Sequence, residues 1–124
     1  MSVPVLKDPE SEHAVRSAWR HALKGVVKSI QDKSFDFQNV EIKTSPLSPN
    51  EVTRIVANIE DYGCHLRELP DESWNTSVCS WQIDYWELLI DLFTEEEGLI
   101  DLALTLRVYE DSGYRFEVMS IHVP

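Results

Sequence analysis

Between Asp84 and Val123 the chain reads DYWELLIDLFTEEEGLIDLALTLRVYEDSGYRFEVMSIHV, three runs of alternating apolar and polar residues separated by two turn signals. Successive side chains of an extended chain point to opposite faces, so such alternation constrains the stretch to half-buried strands. Trp86, Leu88, Ile90 and Leu92 form the first apolar row, with Glu87 and Asp91 between them. Leu102, Leu104, Leu106 and Val108 form the second, against Asp101, Ala103, Thr105, Arg107 and Tyr109. Tyr114, Phe116 and Val118 begin the third, but Ile121 and Val123 continue it on the opposite parity. A β-bulge near Met119 and Ser120 accounts for that change, and it turns His122 away from the core. Thr94 to Gly98 and Asp111 to Gly113 read as the turns.

Upstream, the periodicity becomes helical. Asp8, Pro9 and Ser11 offer capping chemistry. Val15, Ala18, Trp19, Ala22, Leu23, Val26, Val27 and Ile30 then hold the i, i+3, i+4 spacing of a long amphipathic helix, with Gly25 as its weak point. Ser48, Pro49 and Glu51 read as a capping box opening a second helix over 49–62, with Val52, Ile55, Val56 and Ile59 as its buried stripe and Gly63 as its left-handed stop. Lys33 to Leu47 reads as a short edge strand or an ordered loop, and Cys64 to Asn75 as a loop. Cys79, Trp81 and Ile83 give one further strand. The expected fold is α+β, two N-terminal helices packed on a curved antiparallel meander of about four strands. One domain over 1–124 is expected, with a loose tail at 1–7, a helical half at 8–62 and an acidic β-meander at 76–123.

The net charge of −11 is unevenly spread. Residues 1–60 carry 8 acidic and 8 basic side chains, whereas residues 61–124 carry 14 acids and only the bases Arg67, Arg107 and Arg115. The whole excess therefore sits on the C-terminal half. A field of that sign repels nucleic acid and anionic membranes and steers a basic protein partner inward. The first ten residues lack signal-peptide order, and no apolar run reaches bilayer length, so a cytoplasmic protein is expected. Cys64 and Cys79 are then expected as reduced thiols, and two cysteines without paired histidine spacing make no zinc site.

Catalytic signatures are absent from the sequence. His13, His21, His65 and His122 stand outside any motif, and neither a G-x-S-x-G elbow nor a phosphate loop occurs. The ridge of Arg16, Arg20, Lys24 and Lys28 reads first as a solvated helix face and second as a groove for an anion. Asp91, Glu95, Glu96, Glu97 and Asp101 surround one hairpin, where Asp91 and Asp101 approach each other on one face. Solvated turn charges, a carboxylate pair and a divalent-cation site are all compatible with that spacing. So is a negative docking surface, with aromatic neighbours as its anchors. The residues assigned to that surface are Glu87, Asp91, Glu95, Glu96, Glu97 and Asp101, with Tyr85 and Tyr109 as anchors. Leu89 and Phe93 join them if their face is the open one.

The segment WELLIDLFTEEEGLIDLALTL, closing in IHV, resembles a family of small uncharacterised bacterial domains with a Trp, a hydrophobic-Asp-Leu strand, T-x-E-E-G, S-D-L and a final H-V. Ile100 stands where that pattern carries serine. In size and acidity the chain also resembles the immunity proteins that neutralise interbacterial toxins. That likeness implies a binding protein, not an enzyme, that occludes a basic toxin domain, most naturally a nuclease, by charge and bulk, with no cofactor and with a monomeric free state. The alternative is a fold resembling nuclear transport factor 2, with a ligand pocket between the curved sheet and the helices.

Overall fold

In the computed structural model the described residues are 6–124, so residues 1–5 of the expected tail lie outside them. The elements in chain order are β1 (His13–Ala14), α1 (Ser17–Gln31), β2 (Lys43–Thr44), α2 (Pro49–Tyr62), a 3₁₀ turn (Asp71–Asn75), β3 (Val78–Trp81), β4 (Trp86–Thr94), β5 (Gly98–Glu110) and β6 (Tyr114–His122). The strands form one six-stranded sheet in the order β1-β3-β4-β5-β6-β2.

This corrects the expected architecture of two leading helices on a four-strand meander. The antiparallel run β3 to β6 is present, but β1 precedes both helices and pairs with β3 at one edge. β2 lies between the helices and pairs parallel to β6 at the other edge, which makes the sheet mixed. Two residues cannot express a periodicity of two, so neither edge strand announces itself in the sequence. The same cause moves the first helix. Asp8 caps a local turn by accepting from the Glu10 amide, His13 and Ala14 pair with Cys79 and Val78, and the helix begins only at Ser17.

The second helix follows its sequence closely. Ser48 Oγ accepts from the Glu51 amide, Glu51 returns a bond to the Ser48 amide, and Gly63 ends the helix at φ 79°. A side chain there would be strained, which is why glycine suits the position. Of the expected stripe only Ile55 is fully buried, because α2 lies at the margin of the sheet and fastens there by Asn58 Nδ2 donating to the Ile121 carbonyl.

The core lies between one face of the sheet and the helices. Trp19, Leu23, Val26, Val27, Ile30 and Ile55 pack on Trp86, Leu88, Ile90, Leu104, Leu106, Val108, Phe116 and Val118, all at most 3% exposed. These are the even-numbered rows read from the sequence. The bulge sits where parity requires it: Thr105 pairs with Ser120 and Leu106 with Val118, leaving Met119 over. Ile83 departs from its expected strand. It lies in the β3–β4 turn at φ 78° and is 72% exposed. A β-branched residue is a steric outlier in that conformation.

The 3₁₀ turn completes the sheet in an unusual way. Ser73 Oγ donates to the Asp91 carbonyl at 2.7 Å, the Asp91 amide donates to Ser77 Oγ at 3.0 Å, and the two hydroxyls lie 3.0 Å apart. Because the Ser73 proton is committed to the carbonyl, Ser77 must donate to Ser73, which closes a ring of hydrogen bonds in one direction. Two buried serines thus give Asp91 the partners that a neighbouring strand residue would supply.

Candidate functional site

The odd-numbered residues of β4 and β5 face away from the helices, which resolves the open face. Glu87 pairs in register with Arg107, and Arg107 with Glu117; Leu89 pairs with Thr105, and Asp91 with Ala103. Opposite charges directly across strands are mutually favourable, so the centre of this face is electrically mixed. The surplus of negative charge lies elsewhere.

At one end of the face stand Tyr85 and Tyr109, their rings 5.6 Å apart. Arg107 lies 4.4 Å from the Tyr85 ring centre and Arg115 4.5 Å from that of Tyr109. Arg115 also reaches Asp111 and Glu117. The two tyrosines expected as anchors are therefore held in a cation–π stack. Alternation places Arg107 on the Tyr109 side of its strand, but neither it nor Arg115, which pairs with Tyr109 in register, is among the residues assigned to the docking surface from sequence.

The other end is acidic. Asp91 and Asp101 line one open depression of about 540 Å³ together with Thr76, Leu99, Ile100, Val123 and Pro124. Leu99 is 52% and Val123 56% exposed there, beside both carboxylates. Ala103 stands between Asp91 and His122 in the register. His122 pairs with Ala103 at the end of β6, has Nδ1 2.8 Å from Ser120 Oγ, and borders a depression shared with Asn58, Asp61 and Tyr62 of α2. Among the described residues Asp91, Asp101, Glu95 and Glu97 form no ion pair. Leu99 escaped the sequence reading because the turn charges dominate its surroundings, yet it shares the parity of Asp101; Val123, read as continuing the row of Ile121, lies beyond the end of β6 and is exposed instead.

Glu95, Glu96 and Glu97 occupy the β4–β5 turn, and they differ in role. Glu95 and Glu97 are exposed, while Glu96 grips the segment after α2. It accepts from the His65 amide at 2.9 Å and lies 3.0 Å from His65 Nδ1. The return contact is the Glu95 amide donating to the His65 carbonyl. The His65 amide and then its ring hold the Glu96 carboxyl below its ordinary value, as the Ser48 amide and hydroxyl do for Glu51 and Lys24 does for Asp71. Each of these carboxylates binds a proton more weakly in the folded state than in the unfolded one, so protonation favours unfolding. Stability is expected to be flat from neutrality to about pH 5 and to fall steadily below that as these groups protonate. Urea midpoints across that range check the expectation, and Glu51→Gln should remove part of the acid limb without creating one at higher pH.

The remaining candidates are engaged structurally. In the basic ridge, Arg20 donates through Nε and Nη2 to the Val15 carbonyl, Lys24 pairs with Asp71, Lys28 with Asp32, and Arg16 lies over Trp19 and Tyr114. Cys64 and Cys79 are free thiols, and burial pushes that of Cys79 up to about 11, which makes it a poor nucleophile. Among the described residues no group of three or more His, Cys, Asp or Glu side chains is placed to hold a metal ion. None of the described helices is long and apolar enough to cross a membrane. The layer between helices and sheet, where the alternative reading places a ligand, is filled by core side chains. A cleft of about 390 Å³ opens beside it, between the ends of α1 and α2, lined by Ile30, Phe35, Val56, Ile59, Cys64 and Leu66 among others.

Comparison with protein families matches residues 27–124 to a domain of unknown function, DUF7668. That agrees with the expectation of a small uncharacterised domain. No curated protein and no solved structure matches the chain.

Proposed function

We propose that this chain, which belongs to the DUF7668 family of domains of unknown function, is a binding protein that neutralises a basic protein partner, as an immunity protein does a toxin domain. The observation that carries the reading is the acidic end of the open sheet face. Two carboxylates without a cation among the described residues, Asp91 and Asp101, flank a trough whose other walls include the exposed apolar side chains Leu99 and Val123. A lysine or arginine has the matching shape, an aliphatic stem beneath a charged head. Glu95 and Glu97 in the adjoining turn extend the negative field and favour rapid encounter. The Tyr85–Tyr109 stack at the far end is preorganised by Arg107 and Arg115, which lowers the entropy lost when a partner packs on it. Occlusion of a nuclease surface shaped for phosphate is the activity that this distribution of charge suits best.

The test is protection. Coexpression with the basic domain of a secreted protein encoded beside this one should relieve its toxicity, and the two proteins should elute as one complex. Asp91→Lys with Asp101→Lys should weaken that complex by about a hundredfold or more, since close interfacial charge pairs couple by roughly 1.5 kcal/mol or more each. A weaker salt dependence of association should accompany it. A double variant that binds and protects like the parent would overturn the assignment of the site.

A further inference from the structure

The opposite end of the sheet holds a second arrangement, built on the helix-facing side from Trp81, Trp86 and Glu110. The two indole rings lie 4.6 Å apart, inclined at 51°. Lys7 Nζ stands 5.3 Å from the Trp81 ring centre and 5.8 Å from that of Trp86, and its ammonium pairs with Glu110 Oε1 at 2.9 Å. Two aromatic faces and a carboxylate around one ammonium are the elements by which proteins recognise lysine. The backbone is read as well, because Trp86 Nε1 donates to the Leu6 carbonyl at 2.9 Å.

A segment that served only to shield the aromatic cluster would turn its apolar side chain inward. Here Leu6 is 45% exposed, and it is the cation of Lys7 that lies over the rings. Lys7 keeps 54% of its side-chain surface in water and Glu110 48%, so little burial holds the segment in place. Beyond Trp81 the chain presents Ile83, exposed and in a left-handed conformation that disfavours a β-branched residue. Backbone strain of that kind persists where surrounding structure enforces it, and here it holds an apolar side chain outward in the turn that joins Trp81 to Trp86.

We infer that the Trp81–Trp86–Glu110 corner is a docking site for a lysine-bearing extended segment of a protein partner, and that Leu6–Lys7 occupies it as an internal competitor. The incoming segment would place its lysine ammonium over the indoles against Glu110, offer the preceding carbonyl to Trp86 Nε1, and rest an apolar neighbour on Ile83. The site lies at the end of β4 remote from Asp91, so it stands or falls independently of the acidic trough.

The test uses the full chain and the dipeptide N-acetyl-leucyl-lysine N-methylamide, which reproduces Leu6–Lys7. Lys7→Glu sets like charge against Glu110 and should release the internal segment. The Trp86 indole N–H resonance of that variant should then shift and saturate with dipeptide at a concentration about tenfold or more below that needed for the parent protein, because a tethered competitor acts at roughly millimolar effective concentration. Adding Trp81→Ala to Lys7→Glu should abolish the response, and norleucine in place of lysine in the dipeptide should give none. An unmoved Trp86 resonance in Lys7→Glu, or equal binding of the norleucine analogue, would overturn the inference. Circular dichroism of each variant establishes that the sheet is intact.

Discussion

Trp86→Ala should cost about 4 kcal/mol, a large share of the roughly 5 to 15 kcal/mol that stabilises a domain of ordinary size. Trp86 is fully buried, and its ring meets Trp19 edge-on at 5.4 Å, Tyr114 at 6.0 Å and Trp81 at 4.6 Å. Truncation therefore leaves a cavity at the junction of α1, β3, β4 and β6, removes several aromatic pairings at once and strips the Leu6 carbonyl of its donor. The surroundings cannot collapse into the space, because Trp19 is itself wedged against Tyr114 at 5.3 Å. Urea unfolding followed by circular dichroism should show the midpoint falling with little change in slope. Trp86→Phe should recover a large part of the loss, since it keeps one aromatic ring in the space and lacks the second ring and the indole N–H. A cost below about 1 kcal/mol for the alanine variant would mean that this cluster is not a rigid part of the core.

Ser77→Ala should cost about 2 kcal/mol, far more than removal of an ordinary surface hydroxyl, because it leaves the Asp91 amide buried without an acceptor. Ser73→Ala breaks the same ring at the carbonyl and should cost a similar amount. The double variant should cost less than the sum, as both changes destroy one cyclic network. Ser80→Ala, on β3 but outside the ring, serves as the control and should be nearly neutral. Hydrogen exchange supplies the local measurement: the Asp91 amide should lose protection in Ser77→Ala while the Leu104 amide keeps it. The same variant should loosen Asp91 in the acidic trough, so a deficit in partner binding beyond the stability loss is expected with it.

Those two residues also show where sequence reasoning succeeds and stops. Trp86 belongs to an alternating row, and alternation alone assigns it to the same face as Leu88 and Ile90. The capping box of α2 and the parity change at Met119 are equally local signals, and the structure reproduces both. Ser73 and Ser77 carry no such mark. Their ring forms only because the 3₁₀ turn lies against β4, a relation between positions separated by 18 and 14 residues. The start of α1 fails for a related reason. Asp8 and Pro9 have sound capping chemistry, but strand pairing by His13 and Ala14 outweighs it.

The candidate site was legible in part. Parity placed Glu87, Asp91, Asp101 and Tyr109 together, and turn composition placed Glu95 to Glu97 beside them. Charge totals, however, say nothing about which acids are answered. Arg107 and Arg115 neutralise the middle of the face through cross-strand register, and His65 claims Glu96 from a different part of the chain. Only the fold shows that, among the described residues, Asp91 and Asp101 remain without a counter-charge and share a trough with Leu99 and Val123.

The leftover residue of β6 has a consequence for how this chain can change length. Val118 and Ile121 are three apart yet share the core face, because Met119 is taken up outside the pairing. Loss of one residue at that point would restore the simple spacing and leave Ser120, Ile121 and His122 facing as they do now. Loss of one residue elsewhere in the strand would turn every side chain beyond it to the wrong side of the sheet. β6 thus contains a single place at which a deletion is silent in orientation and is felt only as a change in the curvature of the strand.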